Sequence, residues 1–278
     1  MVKKPMKNPG LLILSLWFAV QVPASGMDPA PGARNSAMGG CGITAVDLWS
    51  VSTNQAGLAW FRGWATGIYA GNQFLVSELS TEAVAVSWSG KPGAFGLMLS
   101  YSGYRLFGEM KAGLAYARKF GKRFSAGLQL NYNRIQIGEG YGSAGMVSCE
   151  AGFLYKPGTS WILGVQVCNP VPVKFSGSPS ASAPVRFRFG IGYSLRDKAY
   201  FTAEAEKEPD EKLVIRAGTE IRLVKPVCIR FGVGSSPFSV TSGFGFRLGQ
   251  LQVDLATAYH MILGFSPSLS VQFCFGNN

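Results

Sequence analysis

Hydrophobic and polar residues alternate along most of the chain after residue 64. In the clearest run, 124–133, the even-numbered residues are Phe, Ala, Leu, Leu and Tyr, and the odd-numbered residues are Ser, Gly, Gln, Asn and Asn. A period of two places successive side chains on opposite faces of a β-strand. The same pattern recurs at 185–195, 251–256 and 268–275. It predicts strands with one apolar and one polar face.

Fourteen such runs cover nearly all of the chain beyond residue 64, and each is predicted to be a strand. They lie near 64–75, 82–90, 93–103, 108–120, 123–137, 144–156, 160–169, 184–195, 199–207, 212–223, 226–234, 239–248, 251–260 and 268–275.

The connections between these runs alternate in length. Every second connection is a tight turn, at 91–93, 121–122, 157–158, 196–198, 225–226 and 249–250. The connections between them are mostly longer, at 102–107, 138–143, 169–183, 208–211 and 261–267. Short turns at one end and longer loops at the other are typical of membrane β-barrels. With an even number of strands, the pattern also predicts that both termini lie on the periplasmic side.

Composition supports a barrel in a membrane. Only 15% of the 278 residues are charged, whereas 47% are hydrophobic and 36 are glycines. A typical soluble domain carries about 25% charged residues. Beyond the N-terminus, no segment reaches the roughly 18 apolar residues of a membrane helix. A closed barrel is the other structure that satisfies its backbone in lipid. We therefore predict an all-β, antiparallel, up-and-down transmembrane β-barrel of about 14 strands, with a soluble β-sandwich as the alternative.

The N-terminus has the pattern of a secretory signal peptide. Three lysines precede an apolar stretch at 11–20, and small residues follow at 22–26. This arrangement predicts a signal peptide over 1–26, with a short buried helix as the alternative. We assign 27–63 to a periplasmic or lumenal plug segment and 64–278 to the barrel. The predicted location is the outer membrane of a Gram-negative cell.

If the apolar face meets lipid, the polar face lines the lumen. A charge on the lipid face costs about 2–4 kcal/mol at the bilayer midplane, so charges should be confined to the lumen. The predicted lumenal charges are Arg186, Arg188, Arg216, Arg222, Arg230, Glu150, Glu204, Glu206, Glu220 and Asp254. They can select anions or form a cross-lumen network that keeps the interior neutral, and we favour the network. Aromatic residues near strand ends predict an interfacial girdle of Trp88, Phe95, Phe120, Phe124, Tyr155, Trp161, Tyr193 and Tyr200.

Signs of catalysis are weak. The chain has one histidine, His260, and its five cysteines are widely spaced without a CxxC pair. These numbers argue against metal centres, disulfide frameworks and histidine-based catalysis. No basic stretch interleaved with aromatic residues indicates nucleic-acid binding. We predict a non-enzymatic protein without a cofactor. Its expected partners are outer-membrane lipid and, during insertion, the barrel-assembly machinery.

A glycine-rich segment before the first strand carries the most distinctive motif. It contains Gly32, Ala33, Arg34, Ala37, Met38, Gly39 and Gly40, then Asp47, then Asn54, Ala56, Gly57, Leu58 and Ala59. This order resembles the N-terminal signature of FadL-like and PorV/PorQ-like outer-membrane proteins of Bacteroidota and related bacteria. Gln55 stands where that signature has proline. The resemblance implies a fourteen-stranded barrel with an N-terminal plug or hatch.

The resemblance also implies two kinds of function. PorV/PorQ-like proteins serve type IX secretion, so a binding or scaffold role beside a translocon subunit or secreted cargo is our first hypothesis. FadL-like proteins take up hydrophobic compounds, which is the second hypothesis and requires a continuous apolar pocket and a kinked strand. The apolar residues Met261, Ile262, Leu263 and Phe265 suit either a ligand or a partner. A barrel lipase or protease is a third hypothesis, but no serine partner for His260 is evident.

Overall fold

The computed structural model describes residues 31–138, 142–171, 173–175 and 178–276. The predicted signal peptide lies outside these residues. The described strands are β1 Gly63–Asn72, β2 Ser80–Gly90, β3 Gly93–Tyr104, β4 Phe107–Phe120, β5 Phe124–Ile137, β6 Gly142–Tyr155, β7 Trp161–Cys168, β8 Val173–Phe175, β9 Ser178–Ala183, β10 Arg186–Leu195, β11 Ala199–Lys207, β12 Val214–Val224, β13 Val227–Ser235, β14 Phe238–Leu248, β15 Leu251–His260 and β16 Gly264–Phe275.

Fourteen of these strands form one closed antiparallel barrel. Each strand pairs with the next along the chain, with β7 pairing to β10, and β1 closes the ring against β16. At the closure, Trp64 lies opposite Phe275. The fourteen-stranded barrel predicted from alternation is therefore confirmed. The hairpin β8–β9 stands outside the barrel, in a stretch that the sequence predicted to be a loop.

The outside of the barrel is apolar over its whole circumference. Large side chains such as Ile68, Leu128 and Phe244 are more than half exposed. Rings near the strand ends contact one another, as in the pairs Trp88–Phe95 and Trp161–Tyr193, whose centroids are 5.9 and 4.7 Å apart. A soluble protein rarely exposes such a surface. The exterior is that of a transmembrane barrel with an aromatic girdle.

Tyr200 does not belong to this girdle, and that prediction was wrong. Its ring faces the lumen, where the hydroxyl donates to Oγ1 of Thr44 at 2.7 Å. Tyr200 shares its strand parity with Glu204 and Glu206, so the pleat that turns those carboxylates inward turns Tyr200 inward too. The alternation of side chains along the strand therefore predicts which way an aromatic ring faces better than its position near a strand end does.

The barrel has two distinct ends. We call the end at which β1 begins and β16 finishes the terminal end, and the other the loop end. The predicted alternation of connection lengths is wrong at two places on the loop end. Only 105–106 join β3 to β4, where 102–107 was predicted, and only 261–263 join β15 to β16, where 261–267 was predicted. The connection from β13 to β14, 236–237, is also short. The strands there continue past their predicted bounds and close as tight hairpins.

Residues 31–62, which we call the N-terminal segment, fold inside the barrel. They form one helical turn, α1 (Ala33–Ala37), and two 3₁₀ turns, Leu48–Val51 and Gln55–Trp60. None of the helices in the described part of the chain is both long and apolar enough to cross a membrane. Most residues of the segment are buried.

Glycines on the lumenal face make room for this segment. At ten positions on nine strands a Cβ atom would contact the segment: Gly67, Gly96, Gly127, Gly152, Gly164, Gly190, Gly192, Gly218, Gly232 and Gly243. At Gly218, for example, the Cβ would lie 2.5 Å from the carbonyl oxygen of Met38. The absence of side chains at these positions lets two backbones approach closely.

Candidate functional site: the lumen and its N-terminal segment

Arg34 and Asp47 connect the N-terminal segment to charges on the barrel wall. The guanidinium of Arg34 donates to Glu220 at 2.9 Å and to Asp47 at 3.3 Å. Glu220 also accepts from Nε of Arg230 at 2.6 Å, and Arg230 in turn pairs with Asp254 at 2.8 Å. A chain of alternating charges therefore runs from the segment across β12, β13 and β15.

Glu204 on β11 holds the middle of the segment. Its Oε1 accepts hydrogen bonds from the backbone N–H groups of Gly42, at 2.6 Å, and of Ile43, at 2.5 Å. Its Oε2 pairs with Arg188 at 3.1 Å. Beside it, the hydroxyls of Thr44 and Thr202 lie 3.1 Å apart. A carboxylate that accepts backbone N–H groups forms strong charge-assisted hydrogen bonds, which anchor the segment.

Glu150 on β6 is buried and surrounded by donors. It accepts from Lys111 and Gln55 at 2.8 Å, and from Asn131 and Gln166 at 2.9 Å. Gln55 occupies the position at which the resembling signature has proline. Its side-chain amide supplies a bond that proline could not make, so the replacement ties the segment to this wall.

The other lumenal charges predicted from the sequence lie nearer the loop end, with one exception. Arg186 pairs with Glu208 at 2.6 Å, and Glu206 receives both Arg188, at 3.2 Å, and Arg216, at 2.9 Å. Arg222 instead lies exposed at the terminal end, without an ion pair among the described residues. Apart from Arg222, the arrangement is that of a cross-lumen network.

The remaining signature residues shape the segment itself. The side-chain amide of Asn54 donates to the carbonyl of Ile43 at 2.8 Å, and its oxygen accepts from Ala56 N–H at 3.2 Å. Gly39 and Gly40 adopt φ of +73° and +81°, where glycine is favoured. Ala33, Met38, Gly57 and Leu58 are buried, and a Cβ at Gly57 would lie 2.6 Å from Oγ of Ser50. All of these residues lie inside the lumen.

The lumen has an apolar side that the sequence reading missed. Small or apolar wall residues on β1–β4 and β15 form one buried cluster with the segment: Ala65, Tyr69, Ala83, Ala85, Ala94, Met98, Ala115, Ala117 and Ala256 from the wall, and Leu48, Trp49, Val51 and Leu58 from the segment. The rings of Trp49 and Tyr69 meet edge to face at 6.0 Å. The sequence feature that indicates this side is the recurrence of alanine at the lumen-facing positions of the strands between 65 and 117.

An exposed apolar surface lies at the loop end above this side. The β15–β16 turn presents Met261, Ile262 and Leu263, and Ile262 is 87% exposed. The β1–β2 connection lies next to this turn, since Phe74 N–H donates to Ser266 Oγ at 3.0 Å and the ring of Phe74 contacts that of His260. We call Leu75, Val76, Leu79, Met261, Ile262 and Leu263 the outer patch. Phe265 is separate, because it contacts Tyr259 at 4.9 Å on the outer surface of the barrel.

Two cavities open at the terminal end, of about 290 and 160 Å³. Their walls are largely polar, so neither is the continuous apolar pocket expected of a transporter. The barrel ladder is regular, and its one register shift lies between Arg222 and Val224. No group of three potential metal ligands occurs among the described residues. All five cysteines are free thiols, and burial raises the pKa of Cys41 well above its usual range.

Comparison with known proteins places the fold. No protein-family model matches the chain, and no curated protein matches its sequence. Among solved structures, the CymD monoaromatic hydrocarbon channel superposes with a TM-score of 0.72 at 13% identity, covering 88% of this chain and 98% of that one. The Ralstonia pickettii toluene transporter TbuX superposes with a TM-score of 0.70 at 12% sequence identity, covering 91% of this chain and 99% of the transporter. A Pseudomonas aeruginosa FadL homologue superposes with a TM-score of 0.71 at 11% sequence identity, covering 90% of this chain and 99% of the homologue. The chain therefore has the fold of FadL-like outer-membrane barrels.

Proposed function

We propose that this protein is an outer-membrane channel for the uptake of small hydrophobic molecules, with the N-terminal segment as its hatch. In this proposal the terminal end faces the periplasm and the loop end faces outward. The observation that carries it is the position of the apolar surfaces. The outer patch lies above β1, β2, β15 and β16, and the apolar side of the lumen is formed by β1–β4 and β15.

An apolar molecule can adsorb on the outer patch because burial of apolar surface stabilises it by roughly 25 cal/mol per Å². Below the patch it passes the hydroxyls of Thr81 and Ser102, which bond to each other at 2.9 Å, and then meets alanines and Met98 rather than the charges of β6–β13. Leu48, Trp49 and Val51 of the segment occupy the route further down. Since these side chains are largely apolar, a hydrophobic molecule that replaces them keeps the apolar wall residues out of water.

A substrate can leave the lumen more easily by displacing the N-terminal segment than by passing through the barrel wall. A lateral exit between two paired strands breaks several ladder hydrogen bonds, each of which leaves backbone groups unpaired in lipid. The segment has no ladder with the wall, and side-chain hydrogen bonds, ion pairs and apolar contacts hold it. We therefore propose that passage requires the segment to move. The transporters that share this fold carry toluene and related hydrocarbons according to their names, which makes small aromatic hydrocarbons the first substrates to test.

The test is the initial rate at which cells that display the protein take up labelled toluene. Replacing Leu75→Lys and Ile262→Lys together places two charges in the outer patch, and uptake should fall several-fold. Leu213→Lys is the matched control, because Leu213 is also an exposed leucine before a strand but lies outside the patch. Equal uptake by the double variant and the wild type, at equal surface expression, counts against the proposal.

A type IX scaffold remains the second candidate. The two-residue connections at 105–106 and 236–237 and the filled lumen favour it, since both reduce the room for a substrate gate. Affinity purification from gently solubilised outer membranes separates the two. Recovery of a translocon subunit or of secreted cargo supports the scaffold, and recovery of the barrel alone with an apolar ligand supports the channel.

A further inference from the structure

The mouth of the lumen at the terminal end carries more positive charge than its carboxylates balance. The larger cavity, of about 290 Å³, is lined there by Lys156, Arg196, Lys198, Arg222 and Arg247. These residues come from two turns and two strand ends that are far apart in the sequence. We call this space the mouth cavity.

Two of the three carboxylates of the mouth cavity are already engaged. Asp47 and Glu220 both accept from Arg34, and Glu220 also accepts from Arg230. Asp197, in the turn beside Arg196 and Lys198, is the remaining carboxylate on its lining. Among the described residues, none of the five cations has an ion pair.

The backbone forces two of these cations together. Arg222 N–H donates to the carbonyl oxygen of Lys198 at 2.8 Å, so the two side chains start from adjacent positions on β12 and on the β10–β11 turn. Like charges directly opposite each other in a sheet are destabilising. An anion between them removes that repulsion, which gives the pair a physical reason to bind one.

Two other cations of the cavity, Arg247 and Lys156, are held in place by uncharged groups. Nε of Arg247 donates to the amide oxygen of Gln252 at 3.2 Å, and Gln252 in turn donates to Asp254 at 2.8 Å. The ammonium of Lys156 lies 4.2 Å from the centre of the Trp60 ring. These contacts orient the charges without neutralising them.

We propose that the mouth cavity binds a small multivalent oxyanion, a phosphate or a polycarboxylate. The forked donors of arginine suit both groups, and several converging cations favour a multivalent anion over a monovalent one. Thr44, Ala45 and Val46 of the N-terminal segment line the same cavity. A bound anion therefore contacts both wall and segment and stabilises the segment in its seated position. The proposal does not depend on which molecules the barrel transports.

Isothermal titration of the purified full-length barrel in detergent, at fixed ionic strength, tests it with pyrophosphate and citrate as probes. The informative variant is Lys198→Gln/Arg222→Gln. In the wild type both residues are exposed and, among the described residues, make no ion pair, so the substitutions should not disturb the fold. Lys91→Gln is the matched control, because Lys91 is a turn cation at the same end that does not line the cavity. Circular dichroism checks that each variant keeps its barrel.

Saturable binding of either probe to the wild type and the control, weakened about tenfold or more in the double variant, supports the site. Tighter binding of pyrophosphate identifies phosphate groups as the ligand class, and tighter binding of citrate identifies carboxylates. Absence of saturable binding at millimolar probe overturns the proposal. Equal weakening by Lys91→Gln also overturns it, because the attraction would then be a property of the whole rim.

Discussion

Arg230 is the residue on which the lumenal charge chain most depends. It is 2% exposed and bridges Glu220 and Asp254 at 2.6 and 2.8 Å. Removing one partner of a buried ion pair leaves an uncompensated charge and costs about 3–5 kcal/mol. We expect Arg230→Leu to lower the free energy of unfolding by that amount in urea titrations of the folded barrel. Arg222→Leu, which removes an exposed arginine from the neighbouring strand, should change it by about 0.5 kcal/mol or less.

Lys156 should make stability depend on pH. Burial, with a smaller contribution from Lys119, lowers its pKa to about 8. In the unfolded chain a lysine titrates near its usual 10.5. Between these two values the unfolded state binds more protons, so the contribution of Lys156 to stability rises as pH increases from about 8 to 10.5. Unfolding titrations across this window should show a steeper rise for the wild type than for Lys156→Met. An equal slope contradicts the assignment.

At the scale of elements, the lumenal glycines and the N-terminal segment are complementary. A Cβ at Gly232 would collide with the backbone of Met38 and Gly39, and backbone cannot rotate away. We expect Gly232→Leu to displace α1 and the residues after it while leaving the ladder intact. The readout is labelling of Cys41, which is 1% exposed, by a polar maleimide, quantified by peptide mass spectrometry.

Gly234→Leu is the control for that experiment. Gly234 faces the lumen two residues further along β13, and its Cβ would meet only Ser239 Oγ, at 3.1 Å, and Pro237 O, at 3.9 Å. Cys41 should therefore stay protected in this variant. Protection in both variants would mean that the segment does not depend on the space at Gly232.

The strands could be predicted from sequence because their pattern is local. Alternation at 124–133 requires no knowledge of the rest of the chain, and each barrel strand follows from a run of this kind. The hairpin β8–β9 was missed because its prolines and serines are typical of loops. The alanine side of the lumen was not predicted, because small residues at the lumen-facing positions of a strand do not distinguish a polar interior from an apolar one. The apolar character of this side depends on the folded barrel, in which β1–β4 pack against Trp49 of the N-terminal segment.

At the scale of the whole molecule, the lumen is divided. Ion pairs occupy the side formed by β6 and β10–β13, with Lys111 of β4 and Asp254 of β15 at its edges, and alanines with apolar segment residues occupy the side formed by β1–β4 and β15. The N-terminal segment contacts both sides, and in the proposed function its position decides whether the apolar side is open. Its seat could not be predicted from the sequence, because it depends on Glu150, Glu204 and Glu220, which lie about 100 residues or more away along the chain.

The central claim is that hydrophobic molecules pass this barrel when the N-terminal segment moves. Thr44 on the segment and Thr202 on the wall have hydroxyls 3.1 Å apart, so a Thr44→Cys/Thr202→Cys pair can be oxidised to lock the segment. The most direct measurement is uptake of labelled toluene by cells that display this variant. We predict wild-type uptake under reducing conditions and, after oxidation, uptake equal to that of cells without the protein, with both single-cysteine variants unaffected. Undiminished uptake by the locked barrel, or no uptake by the wild type, would contradict the account.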